Sequence, residues 1–249
     1  KDKENKCCVI SQPTFLPWLG WFDLVDQSDL MVILDDVTFT KRSWQQRNKI
    51  KSQNGLEFIT IPVKTSGRFF QKIKDCEIVD DNFLRKLLKK IRFNYSKAKF
   101  SYLLDSIETV FYESLKSNKL LDLNLGLIKW ACNFLDIQTN IILSSDIDVM
   151  APRGEYLALI CSKLGYSKYL STAGAGDYLK EDLTKFQEKN INVFIHQYEH
   201  PIYNQIYAPF DPFASILDLI LNEGSNSLEI IRSGRRPSKL ITELFQSNV

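Results

Sequence analysis

Apolar positions along the chain follow two rhythms. Short unbroken runs read as strands buried on both faces, and longer stretches with apolar residues three and four apart read as helices with one buried face. Cys7 to Ile10 is the first run and Leu30 to Leu34 the second, with Leu19 to Val25 between them at helical spacing. Leu56 to Val63 reads as a third strand, entered through a turn at Gly55. The segment Lys64 to Asp80 reads as loop with one short strand, Cys76 to Val79. The rhythm then turns helical. Phe83, Leu84, Leu87, Leu88 and Ile91 mark a buried face over Asn82 to Phe93, and Phe100 to Leu115 and Leu120 to Leu135 repeat it.

Alternation of strand and helix returns after residue 139. Asn140 to Leu143 reads as strand and Pro152 to Leu164 as helix, with Pro152 in the first turn and Gly165 at the stop. Tyr169 to Ser171 is a strand, Glu181 to Lys189 a helix, Ile191 to Gln197 a strand and Phe213 to Leu221 a helix. This order predicts an α/β fold with a mainly parallel, Rossmann-like central sheet and right-handed crossovers. The expected organisation is one domain over residues 7–225 with a helical insertion at about 82–135, followed by a helical tail over 226–249.

Composition narrows the classes. With 44% hydrophobic and 25% charged residues, the 249-residue chain has the make-up of a soluble globular domain. A net charge of +2 and one short basic cluster argue against nucleic acid as a partner. Five scattered cysteines make no disulfide framework, so buried thiols and a reducing cytosol are expected. No apolar stretch approaches the roughly 20 residues of a membrane span, and KDKENK opens no signal peptide. A cytoplasmic location without membrane insertion is the expectation.

The chemistry concentrates between Gln12 and Ile50. The first strand breaks at Gln12-Pro13 into an aromatic, proline-stiffened loop, PTFLPW, whose residues Gln12 and Trp18 would wall a pocket or simply fill a turn. The second strand ends in Asp35-Asp36, which puts a carboxylate at the sheet's carboxyl edge as a general base, an amine-orienting group or a magnesium ligand. A charged strand end paired with nearby arginines is the plainer alternative. Lys41, Arg42 and Arg47 then follow with Trp44 and Asn48, offering forks, amides and an indole face for phosphate and a stacked sugar or base. By composition alone such a charge run is a solvated helix face.

STAGAGDY is a small-residue loop whose backbone amides could approach an anion, although no Gly-Lys-Ser/Thr follows to make a Walker loop. The two histidines, His196 and His200, stand four apart, but Pro201 argues against a helix there and no third ligand is near, so no metal site is expected. An unperturbed imidazole is poised near neutral pH to take a proton, with a structural role equally open.

The segments QPTFLPWLG, DLMVILDDV, KRSWQQRNKIK and FITIPV, then YLSTAGAGDYL, HPIYNQ and FDPFASILDLILNEG, resemble in order the motifs of the WbqC-like family of bacterial proteins. The resemblance spans about residues 7–225. It implies a cytosolic transferase of O-antigen or other surface-polysaccharide biosynthesis, one that passes an acyl or aminoacyl group to a nucleotide-linked amino sugar. It selects Arg42, Trp44, Arg47 and Asn48 as anion or nucleotide contacts and adds Ser171, Gly174 and Tyr178 as binding residues. His200 becomes a catalytic candidate beside Asp35 and Asp36, with Tyr203 and Gln205 on the same wall. The donor group and the oligomeric state stay open. The alternatives are an ATP- and Mg-dependent nucleotidyl- or adenylyltransferase, weakened by the absence of paired loop histidines, and a non-catalytic sugar-nucleotide-binding protein.

Overall fold

A computed structural model describes residues 6–246 apart from 81, 173 and 175. The strand β1 (Cys7–Ser11) sits at the centre of a six-stranded sheet. Its alternation is real but two-sided. Cys7 and Val9 enter one core, while Cys8 and Ile10 enter another on the opposite face. The strand β2 (Leu30–Ile33) does the same with Met31 and Ile33 against Leu30 and Val32. Burial on both faces is why these strands read as solid apolar runs.

The sheet is completed by β5 (Asn140–Leu143), β6 (Lys168–Ser171), β7 (Asn192–Tyr198) and β8 (Arg235–Leu240), in the order β5-β2-β1-β6-β7-β8. Every pairing is parallel except β7 with β8. The chain works outward from β1 through β2 to β5, then returns to the far side of β1 at β6. The order therefore reverses between β1 and β6, and the crevice at their carboxyl ends is where sheets of this kind hold ligands.

Helices cover both faces. The first core takes α1 (Leu19–Asp26), α2 (Asn82–Tyr95), α3 (Leu104–Ser114), α4 (Leu120–Leu135), α7 (Ile216–Glu223) and α8 (Ser227–Ser233). The second takes α5 (Arg153–Lys163), α6 (Gly176–Glu188) and α9 (Ile241–Gln246). All five cysteines are buried and free. None of the helices is long and apolar enough, among the described residues, to cross a membrane.

Three expectations needed revision. The basic segment is neither helix nor loop throughout, since β3 (Arg47–Ser52) forms an antiparallel hairpin with β4 (Gly55–Thr60) outside the main sheet. Gly55, at φ +102°, supplies the turn. Cys76 to Val79 makes only isolated bridges, Ile78 to Val63 and Glu77 to Lys119. The tail expected to be helical carries the sixth strand. Its sequence, RRPSKL, has no apolar alternation and contains Pro237, tolerated because β8 is an edge strand with an irregular register.

The hairpin is tied to the C-terminal segment by a closed ring of buried polar contacts. Lys51, only 1% exposed, pairs through Nζ with Asp211 and donates to the Pro209 carbonyl at 2.6 Å. Its backbone N–H donates to Tyr95 Oη at 2.9 Å, and that hydroxyl donates to Asp218 Oδ1 at 2.8 Å. Tyr203 Oη and Gln205 Nε2 donate to Asp218 Oδ2 at 2.7 and 2.8 Å. Gln205 closes the ring on the Asp211 backbone at 2.9 and 2.8 Å. Burial pushes the Asp218 carboxyl up, against these donors, and holds both phenols above their usual range. Asp218→Ala would leave the buried Tyr95 and Tyr203 hydroxyls without their acceptor and take one of two acceptors from Gln205 Nε2. The expected loss is about 3 kcal/mol in urea unfolding, or a melting temperature lower by about 6–12 °C.

Candidate active site at the sheet switch point

The loop of residues 12–18 leaves β1 at the switch point with Pro13 and Pro17 buried and Leu16 at φ +45°, and the Phe15 and Leu16 carbonyls find their partner outside it. Asn48 on β3 satisfies it, donating from Nδ2 to the carbonyls of Phe15 at 3.0 Å and Leu16 at 2.8 Å. The Phe15 amide donates to Trp44 O at 2.8 Å, and Gln45 Nε2 donates to Gln12 Oε1 at 2.6 Å. On the other side Ile216 N donates to Pro17 O, and Ser215 N to Lys49 O. A Cβ on Gly20 would lie 2.2 Å from the Trp18 ring, so glycine is what lets the indole fold back over α1.

Gln12, Trp18 and residues 44–49 are thus knitted into one surface at the carboxyl end of β1. Its charged part is unusual. Lys41 and Arg42 are exposed, and with Arg47 they have no carboxylate partner among the described residues. The Arg47 guanidinium lies 4.4 Å over the Phe58 ring and Lys49 Nζ 5.1 Å from its centre, while Trp44, 51% exposed, tilts against the same ring at 6.1 Å. Lys49 faces Phe58 directly across the hairpin. Arg42 is held at φ +57° by Gln46 Oε1, which accepts its N–H at 2.8 Å. A cationic, aromatic platform without counter-charge suits a phosphorylated ligand carrying a planar or sugar ring.

A model of the WbqC-like protein family matches residues 12–230, which spans the loop, the hairpin and the C-terminal motifs together. The chain belongs to the WbqC-like family. It is 34% identical over 233 residues to Rv1507c, an uncharacterized protein of Mycobacterium tuberculosis, covering 93% of this chain and all of that one. No solved structure matches it.

The remaining residues of the WbqC-like motifs divide between the edge and the interior. Ser171 ends β6 beside β1 but is buried and bonded to the Tyr169 hydroxyl in the second core. Gly174 is exposed just beyond it, and the Tyr178 side chain lies outside the described residues. Asp35 is buried after β2. Ser144 Oγ donates to its Oδ1 at 3.0 Å, as does the Ser145 amide at 2.9 Å, and Ser145 Oγ donates to Oδ2 at 2.6 Å. Asp36 is only half-buried; it receives the Tyr156 hydroxyl and shares the single Ser144 hydroxyl hydrogen with Asp35. Among the described residues no group of three His, Cys, Asp or Glu side chains is placed to hold a metal.

His200 stacks on Trp18 at 5.8 Å and meets Phe213 edge-on at 5.0 Å. Both its nitrogens are engaged: Nε2 accepts the Phe213 N–H at 3.0 Å and Nδ1 donates to Pro201 O at 2.8 Å. That pattern fixes one neutral tautomer and leaves no lone pair for a substrate proton. Tyr203 and Gln205 are likewise spent on Asp218. His200 therefore enters the site as an aromatic wall.

Two sets of residues escaped the sequence reading. Phe58 becomes visible only once the hairpin register places it opposite Lys49, and the turn at Asn54-Gly55 was the available signal. The other is a buried cluster beneath α1. Asp23 accepts from His196 Nε2 at 2.7 Å, Gln27 Nε2 at 2.7 Å and Arg235 Nε at 2.8 Å. Its neighbour Asp26 is half-buried, and donors from Arg232 and Arg235 outweigh that burial and hold the carboxyl below its usual range.

Burial lowers the His200 pKa from 6.5, with the Pro201 carbonyl opposing in part. The unfolded chain therefore takes up a proton at a higher pH than the folded one. The contribution is fully present above pH 6.5 and is lost as pH falls below it toward the folded value. His200→Phe keeps the ring against Trp18 and cannot titrate. Melting temperatures across this window should fall with pH in the wild type and fall less steeply in the variant.

Proposed function

We propose that this protein is a transferase of surface-polysaccharide assembly that passes an acyl or aminoacyl group to the amino group of a nucleotide-linked sugar. The observation that carries the reading is the uncompensated platform of Arg47, Lys49, Trp44 and Phe58 beside Gln12, at the edge where the strand order reverses. On it, Arg47 and Lys49 take the diphosphate and the exposed indole takes a ring of the ligand. Gln12, pinned by Gln45, offers a neutral hydrogen-bonding group to the sugar.

The proton acceptor in this reading is Asp36, the more exposed of the two aspartates, oriented by Tyr156 and Ser144. The acceptor nitrogen forms the new bond to the acyl carbon, the donor's leaving group departs with the electron pair, and Asp36 takes the proton that the nitrogen sheds. A second reading, a non-catalytic sugar-nucleotide-binding protein, is favoured by one fact: Asp35, Asp36 and His200 all have protein donors or acceptors on their polar atoms.

Thermal-shift titration with nucleotide-sugars, free nucleotides and ATP with Mg²⁺ tests the platform first. A ligand at a hundredfold its Kd adds about 2.7 kcal/mol of apparent stability. Arg47→Ala and Trp44→Ala should each weaken nucleotide-sugar binding by about tenfold to a hundredfold without lowering the unliganded melting temperature. Loss of acyl transfer in Asp36→Asn with binding retained supports the transferase. Binding with no turnover in wild type under any acyl or aminoacyl donor supports the binding protein. No shift with any nucleotide-sugar overturns both.

A further inference from the structure

Residues 38–74 contain nine lysines and arginines and a single acidic residue, Glu57, although the whole chain carries a net charge of only +2. Five of the nine are accounted for. Lys51 is buried against Asp211, Lys64 and Arg68 pair with Glu77, and Arg47 and Lys49 lie over Phe58. Lys41, Arg42, Lys72 and Lys74 are exposed and have no carboxylate partner among the described residues.

These four cations border a loop that does the opposite of burying its apolar residues. Phe69 is 81% exposed and Phe70 86% exposed, adjacent in sequence at the loop's tip. The loop's base is well tied. Lys64 N donates to Glu77 O at 2.9 Å, Gln71 Nε2 to Lys64 O at 2.9 Å, and Arg68 N to Thr65 O at 3.2 Å. Phe70 is held at φ +60°, a conformation a bulky residue rarely adopts, yet its ring meets water rather than a core. Neither ring packs against another aromatic among the described residues.

The register puts the tip and two of the cations, Lys41 and Arg42, on one side of a bridge. Thr38 bridges Lys72 antiparallel, and Phe39 N donates to Gln71 O at 2.9 Å. Past that bridge residues 40–42 of one segment run the same way as residues 70–68 of the other; Lys72 lies at the bridge itself and Lys74 two residues to its other side, where its N–H donates to Asp35 O at 2.8 Å. A protruding pair of apolar rings rimmed by unpaired cations matches the layered chemistry of an anionic bilayer surface, where phosphates lie just above the acyl boundary. Stacked bases would call for a groove with rings set along it, and these two rings stand at a tip.

We propose that this loop docks the protein peripherally on an anionic phospholipid surface, with Phe69 and Phe70 entering the headgroup–acyl boundary and Lys41, Arg42, Lys72 and Lys74 holding lipid phosphates. The inference goes beyond the transferase reading and stands whether or not the platform takes a nucleotide-sugar.

The test is co-sedimentation of the full chain with phosphatidylcholine vesicles, with and without phosphatidylglycerol. Variants are Phe69→Ser with Phe70→Ser, and separately Lys72→Gln with Lys74→Gln. All four side chains are at the surface, so melting temperatures should match wild type and confirm folding. The expected result is salt-sensitive binding that requires phosphatidylglycerol, weakened more than about tenfold by the serine pair and several-fold by the glutamine pair. Absent binding overturns the proposal, as does binding that neither pair diminishes. So does a serine pair that spares vesicle binding but weakens nucleotide-sugar affinity, which would make the loop a ligand cover. Retention of single-stranded RNA, lost in both variants and without vesicle binding, would reassign the surface to nucleic acid.

Discussion

The Asn48 carboxamide donates to two successive carbonyls, those of Phe15 and Leu16, and the arrangement of the site follows from that pair of bonds. A loop pressed against the end of the sheet must pair its buried polar groups, and two prolines with a left-handed leucine keep this one out of any ladder. The partner has to come from elsewhere in the chain. It comes from the first turns of the hairpin, so satisfying the loop also draws residues 40–49 over the carboxyl end of β1. Ser215 and Ile216 complete the same task from the start of α7. Apolar packing alone would fix neither the position nor the facing of Arg47.

The second anchor works on the same hairpin from its other end. Lys51 is two residues past Lys49, on the strand face that continues into the ring around Asp218. A buried ion pair is poor evidence for stability, because desolvation offsets much of the attraction. What this ring does is specify. Lys51, Tyr95, Tyr203, Gln205 and Asp211 each meet a partner that no other register of the hairpin would supply. Within that ring Asp211 and Asp218 are taken up by Lys51, Tyr95, Tyr203 and Gln205, while Arg47 and Lys49 lie over Phe58.

Much of the scaffold was legible because burial on both faces leaves solid apolar runs. Leu120–Leu135 and Asn140–Leu143 lie where their patterns placed them. The strands that escaped are those whose stability is not apolar. Arg47–Ser52 reads as a charge run, since its neighbours satisfy it by hydrogen bonds, an aromatic ring and one buried lysine. Arg235–Leu240 has a proline and almost no core residue. It is held to the sheet through Arg235, which bonds Asp23 and Asp26 on α1, with Arg232 of the preceding helix beside it on Asp26. Pattern reading sees apolar periodicity, and these elements are fastened by charge. For the same reason Asp23 and His196 were passed over, although they form the most buried carboxylate–imidazole pair of the described residues.

The motif residues were found by resemblance, and the structure sorts them by what their polar atoms already do. Asn48, Tyr203 and Gln205 spend their polar atoms on hydrogen bonds within the fold. Asp35 is closed in by two serines. His200 has one nitrogen donating and the other accepting along the backbone, so protonating it would break the Phe213 contact before it could serve a substrate. What is left uncommitted is a narrower set: Lys41, Arg42, Arg47, Lys49 and the exposed face of Trp44, while Asp36 already accepts two hydroxyls and is only half-buried. Groups that spend nothing on the fold are the ones free to change partner when a ligand arrives. That difference in commitment, more than membership of a motif, separates the proposed binding surface from the frame that holds it.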